Sequence, residues 1–182
     1  MKNILTCIFT LSLFLLSCNN PNTAGNGGDL QTVENRDANN NLTETGQTIN
    51  GQKTGTWTTY DVEKGFPKTL KNYNNGKLEG LSLEFNDRGQ IEKKAHYKNN
   101  QLNGEYGTYK FGRPIEEATY SNGKMNGTYR AYFNNSDKLQ KEAEYKDGVQ
   151  HGSFKQYNEE GQLVLEYTYD NGEVVSGGMV KQ

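Results

Sequence analysis

Thiols and imidazoles are few in this chain, and its 22 carboxylates, though plentiful, include no pair in a distinctive setting. Its 182 residues include two cysteines, Cys7 and Cys18, and two histidines, His96 and His151. A thiol can attack carbonyl or acyl carbon, and an imidazole can relay a proton or bind zinc. Either chemistry needs partners at fixed spacing. Cys7 lies inside an apolar run, so no second cysteine remains for an intrachain disulfide once that run is removed. His96 and His151 stand at different positions of an internal repeat, where other copies carry Thr119, Glu144 and Thr168, or Glu79, Asn103 and Asn126. Polar positions that vary so freely are poor candidates for catalysis. No Gly-Lys-Ser/Thr phosphate loop and no paired-histidine motif occurs. The expectation is a protein that is not an enzyme, with no catalytic residue, no metal site and no cofactor.

Cys18 asks for a different chemistry. Met1-Lys2-Asn3 supplies one positive charge, Ile4–Leu16 is apolar, and Leu15-Leu16-Ser17-Cys18 closes the run. A charged start, a short apolar stretch and small residues at a cut site describe a secretory signal. The run is too short to span a bilayer in the usual way. Its last four residues resemble the lipobox of bacterial lipoproteins. The resemblance implies cleavage before Cys18 and acylation of its thiol, making Cys18 a lipid anchor. The alternative is a plain secretory signal that happens to contain a cysteine. Residues 1–17 are thus expected to be a lipoprotein signal peptide. Residues 18–47, rich in Asn, Gly and Thr and free of aromatic side chains, are expected to follow the lipidated cysteine as a flexible polar tether. No acidic run follows Cys18. That favours the periplasm-facing side of the outer membrane, within a bacterial cell envelope.

The remainder, residues 48–182, is repetitive. Segments starting at Tyr73, Tyr97, Tyr120, Tyr145 and Tyr169 align as YNNGKLEGLSLEF, YKNNQLNGEYGTY, YSNGKMNGTYRAY, YKDGVQHGSFKQY and YDNGEVVSGG, spaced by 24, 23, 25 and 24 residues. A weaker copy starts at Thr48, so the array holds about five to six copies. A fixed short period signals one supersecondary unit stacked on itself. Asn-Gly pairs mark tight hairpin turns, and a four-residue polar turn such as Asn86–Gly89 closes the other end. Between the turns, residues alternate with the period of a strand. Trp57, Tyr106, Tyr129 and Phe154 share one phase, interrupted by Ser82, and Tyr60, Phe85, Tyr109, Tyr132 and Tyr157 fall on the opposite face. In the returning strands Ala95, Ala118 and Ala143 share a face with Tyr97, Tyr120 and Tyr145.

All 12 tyrosines, Trp57 and five of the seven phenylalanines lie in the repeats, although the chain is only 32% hydrophobic. Rings that bury area while keeping a polar tip wet suit a thin sheet better than a thick globule. Setting aside Lys2 and Arg36, and the acids Asp29, Glu34, Asp37 and Glu44, the repeats hold 18 of the 20 bases and 18 of the 22 acids. A formally neutral array argues against a nucleic-acid partner, which needs a basic face.

The pattern Tyr-x-Asn-Gly-x-x-x-Gly, followed by an aromatic residue and a Gly-containing turn, resembles the bacterial variant of the MORN repeat. The standard Tyr-x-Gly-x-Trp core is missing. The resemblance implies an all-β fold: an elongated single-layer antiparallel sheet of stacked β-hairpins, an open meander. It also implies scaffolding or protein association, and many bacterial variants carry an antitoxin label. Choline- and glucan-binding repeats are a weaker likeness, since only Tyr132-Phe133 places aromatic residues side by side.

Function therefore rests on a surface. The phase of Trp57, Tyr106, Tyr129 and Phe154 is the candidate binding stripe, for another envelope protein or a glycan. The competing reading makes the same rings the core of a thin sheet. The leading expectation is a membrane-anchored envelope lipoprotein whose array is a protein–protein interaction or scaffolding module, touching the bilayer through Cys18. The alternatives are a carbohydrate- or peptidoglycan-binding envelope protein and an antitoxin or immunity-type partner protein.

Overall fold

The computed structural model describes residues 28–134 and 136–181. They form thirteen strands in one open antiparallel sheet whose spatial order is the chain order. The strands are β1 (Leu30–Arg36), β2 (Leu42–Ile49), β3 (Gln52–Tyr60), β4 (Pro67–Asn74), β5 (Lys77–Phe85), β6 (Ile91–Lys98) and β7 (Gln101–Lys110). They continue as β8 (Arg113–Ser121), β9 (Lys124–Tyr132), β10 (Leu139–Lys146), β11 (Val149–Tyr157), β12 (Leu163–Asp170) and β13 (Glu173–Met179). Each strand pairs only with its sequence neighbours, and no helix occurs among the described residues. The elongated single-layer hairpin meander expected from the period is the fold.

Two-residue turns explain the register. Asn75-Gly76, Asn122-Gly123, Asp147-Gly148 and Asn171-Gly172 all have positive φ at both positions. That is the geometry whose twist matches a hairpin's own. Asn99-Asn100 does the same with φ of 49° and 67°. The turns also lock onto the preceding repeat. The amides of Gly76, Gly123, Gly148 and Gly172 donate to the carbonyls of Lys53, Leu102, Met125 and Gln150 at 2.8–2.9 Å. Each hairpin tip is thus fastened to a strand of the repeat before it, which makes the period a physical coupling between neighbours.

One boundary needs correction. The expected tether over 18–47 does not extend to 47, because residues 30–36 and 42–49 are β1 and β2. The sheet begins one hairpin earlier than the aromatic pattern indicated. This hairpin has no ring of its own. It is held by the backbone ladder from Leu30↔Ile49 to Arg36↔Leu42 and by Gly46, over which the Trp57 indole lies. A side chain at residue 46 would overlap that ring, so Gly46 is a packing position and not a linker glycine. Residues 18–27, and Cys7 and Cys18 with them, lie outside the described residues.

Candidate interaction surface

Cross-strand register builds the aromatic face from two rows. The first row reads Trp57↔Lys71↔Ser82↔Ala95↔Tyr106↔Ala118↔Tyr129↔Ala143↔Phe154↔Tyr167. Large and small side chains alternate along it from Ala95 to Phe154. The second row places Tyr120 opposite Gly104 on one side and Met125 on the other; Tyr97 and Tyr145 are set the same way, against Gly80 with Leu102 and Gly127 with Gln150. The two rows lean together. Tyr106 meets Tyr120 at 5.6 Å, Tyr129 meets Tyr145 at 6.3 Å, and Phe154 meets Tyr169 at 6.1 Å, each near edge-to-face. Such pairs add stabilisation beyond the area they bury.

The four stripe residues do not play one role. Trp57 is core: it is 4% exposed, its Nε1 donates to the Gln47 carbonyl at 3.0 Å, and Lys53 Nζ stands 3.8 Å from the ring centre. Ser82, also buried, separates it from the remaining three. Tyr106, Tyr129 and Phe154 are brought together as successive ridges of one track, each half-buried. Ala95, Ala118 and Ala143 beneath them are buried. The track is both core and surface, because a sheet one layer thick has nothing else to cover its rings.

Polar residues border the track. Tyr129 donates to Glu116 at 3.2 Å, and Lys141 Nζ lies 4.9 Å from the Tyr129 ring centre. Lys93 pairs with Glu84 at 3.4 Å. Burial, then the Glu116 charge and the bond to it, push the Tyr129 phenol up to about 12. Burial also raises Tyr106 and Tyr120. These hydroxyls remain protonated donors over the whole physiological range.

The opposite face is charged. Glu117 accepts from Tyr132 at 2.7 Å and from Tyr109 at 3.5 Å. Arg130 donates to Glu142 at 2.8 Å, and Lys94 donates to Glu105 at 2.7 Å. Tyr60 shares a bond with Thr45 at 3.1 Å. The Tyr109 hydroxyl folds over Gly107, where a side chain would have blocked it. Here the closing tyrosines cover a ladder of alternating charges and are not stacked on one another.

In the sequence, the aromatic stripe and the repeat tyrosines form two separate series. Their union into one face follows from register. The Asn-Gly turn pins Tyr120 to Met125, and the step of the register between Ala118 and Tyr120 brings Tyr129 into line. Counting outward from each turn would have shown it. The variable polar positions also have a task. The Asn99 amide donates to Glu79 at 2.9 Å, the Asn122 amide donates to Asn103 at 3.1 Å, and Asn126 donates to Asp147 at 3.1 Å. In the corresponding place His151 Nδ1 lies 3.2 Å from Asp170. Glu79, Asn103 and Asn126 all reach the next turn although they differ in type, whereas His151 Nδ1 makes no hydrogen bond. His96 lies on β6, away from His151 on β11. No group of three or more His, Cys, Asp or Glu placed to hold a metal ion is found among the described residues.

No protein-family model matches the chain. No curated protein matches it. Among solved structures, a crystal structure of a mutant of S. aureus TarM in complex with fondaparinux, alpha-GlcNAc-glycerol and UDP is similar at 13% identity and a TM-score of 0.37. The likeness covers 60% of this chain and 21% of that one, and a match so slight carries no argument.

Proposed function

We propose that this protein is a non-catalytic association module of the bacterial cell envelope, held on the membrane through Cys18 and recruiting a protein partner on its aromatic face. The single observation behind this reading is the half-buried track of Tyr106, Tyr129 and Phe154 with Tyr120 and Tyr145 between its ridges. Rigid rings set by backbone register, rimmed by Lys93, Glu84, Lys141 and Glu116, are the composition of an interface centre and its rim. Because the sheet is a single layer, no second layer of the described chain covers them.

The test uses the full-length protein extracted from envelopes. Tyr129→Ala with Tyr145→Ala should lose a specific co-purifying protein that the wild type retains, while Arg130→Ala on the opposite face should keep it. Retention on purified peptidoglycan, lost in the same double variant, would instead support the glycan reading. That reading draws on the same half-buried rings, since sugar rings stack on aromatic faces. The anchor has a separate test. Cys18→Ala should abolish metabolic labelling by fatty acid and release the protein from membranes; persistent labelling sinks the assignment.

A further inference from the structure

The two edges of the sheet are unlike. β1 carries the ion pair of Glu34 and Arg36, with an exposed Leu30 at its start. Such charges discourage edge-to-edge association. The last strand, β13, reads Glu-Val-Val-Ser-Gly-Gly-Met, with Val174, Val175 and Met179 exposed by 52%, 60% and 88%. Nothing among the described residues pairs with its outer side. It carries no lysine, no arginine and no proline. An exposed apolar edge with free backbone donors and acceptors is a template for one more strand.

Strand parity indicates which strand. In an antiparallel meander of thirteen strands, β1 and β13 run in the same direction. Joining β13 to the β1 of another copy that faces the same way would create a parallel ladder, and the antiparallel form of that contact would turn the second copy's aromatic face to the other side. Joining β13 to β13 of another copy about a two-fold axis normal to the sheet keeps the pairing antiparallel. It also leaves the aromatic faces of both copies on one side. At that end of the first row the size pattern reverses: Tyr167 takes the place held by Ala143 in the repeat before, and Gly177 takes the place of the ring. A Cβ at residue 177 would overlap the Glu166 carbonyl oxygen, so β13 lies close against β12 at this point.

We infer that β13 is a self-association edge, through which two copies of this chain pair antiparallel and extend one sheet across both. An isologous contact of this kind closes on itself and does not grow into fibres. A single strand pair places the interface at the small, transient end of the range, below roughly 1,200 Å². The inference is independent of the partner and the anchor proposed above.

The experiment takes the full-length protein in non-ionic detergent, with light scattering for mass and amide hydrogen exchange for location. The expected result is a concentration-dependent dimer in which residues 173–179 exchange at least about tenfold more slowly at high concentration, while residues 30–36 do not change. Val174→Lys combined with Val175→Lys should be monomeric, because lysines on an edge strand oppose the addition of another strand. Thr32→Lys on β1 should still dimerise. Far-UV circular dichroism verifies that each variant is folded. A wild type that stays monomeric, slowing at residues 30–36 instead, or a dimer that survives the double lysine variant would each overturn the inference.

Discussion

Tyr106 and Tyr120 meet at a ring-centre distance of 5.6 Å and an interplanar angle of 68°, beside the buried methyl of Ala118. Ala118 faces Tyr106 across one ladder and Tyr129 across the other. Gly104, directly opposite Tyr120, carries no side chain that would intrude on the pair. One alanine therefore sets the separation of two successive ridges. Ala118→Leu should spread both rings and destabilise the array by about 1–3 kcal/mol, the usual range for overpacking. Urea unfolding followed by tyrosine fluorescence gives the midpoint. A change below about 0.5 kcal/mol would mean the rings reorient freely, as an ordinary surface position allows.

Gly46 makes the same argument from the other side. Its missing side chain is the seat of the Trp57 indole, and an added Cβ would fall within overlap distance of the ring. Gly46→Val should expel Trp57, lose its bond to the Gln47 carbonyl and loosen β1–β2 from the rest. Trp57 is the only tryptophan, so its emission reports the event without interference. A red shift in the variant, with repeats beyond β4 still protected from hydrogen exchange, is the expected outcome for nearest-neighbour stability. An unshifted emission maximum counts against it.

The contrast between those two positions shows what could be read from the sequence. Ala118 recurs as Ala95 and Ala143 at the repeat period, and the period with its Asn-Gly turns is enough to infer hairpins and their stacking. Gly46 stands in a stretch without aromatic residues, where the same residue type signals a flexible linker. Its role comes from a contact with Trp57, supplied by the next strand. Likewise, Trp57 and Phe154 share a strand phase, yet one is sealed beneath Lys53 and the other is half open. Phase decides the face of a side chain. How deeply it lies depends on neighbours such as Ser82, Lys71 and Lys53, which a repeat alignment treats as variable.

Alkaline titration should separate the tyrosines. The phenols of Tyr129 and Tyr132 are both pushed up to about 12, by burial first and then by the Glu116 charge and the bond to Glu117 respectively. A folded pKa raised above the unfolded value of about 10 means the native state holds its protons more tightly. The associated stability is complete below pH 10 and is lost as pH rises through 10 towards 12. Absorbance at the phenolate band should therefore show a late-ionising class that merges with the main one in denaturant. Tyr132→Phe should remove part of that class. If all phenols ionise together near their unfolded value in the native protein, the burial of Tyr129 and Tyr132 and their contacts with Glu116 and Glu117 do not hold in solution.

Among the non-glycine turn residues at positive φ, Asn100 and Phe111 have opposite consequences. Asn100 has φ of 67°, and its Oδ1 accepts from the Leu78 amide at 2.7 Å while its own amide donates to the Leu78 carbonyl at 3.0 Å. The side chain thus holds a neighbouring strand as well as tolerating the conformation. Asn100→Ala loses both the tolerance and the bond and should cost about 2 kcal/mol, whereas Asn100→Gly trades one for the other and should lie within about 0.5 kcal/mol of wild type. Phe111 has φ of 54° and is 54% exposed, with Arg88 and Lys110 over its ring at 5.2 and 5.8 Å. A bulky residue is unfavourable there, and two exposed cation–π contacts contribute little. Phe111→Asn should accordingly stabilise the protein by about 0.5–1 kcal/mol. If it destabilises instead, as measured by the same urea midpoint, the Arg88 and Lys110 contacts outweigh the backbone strain, and the turn is held by its ring.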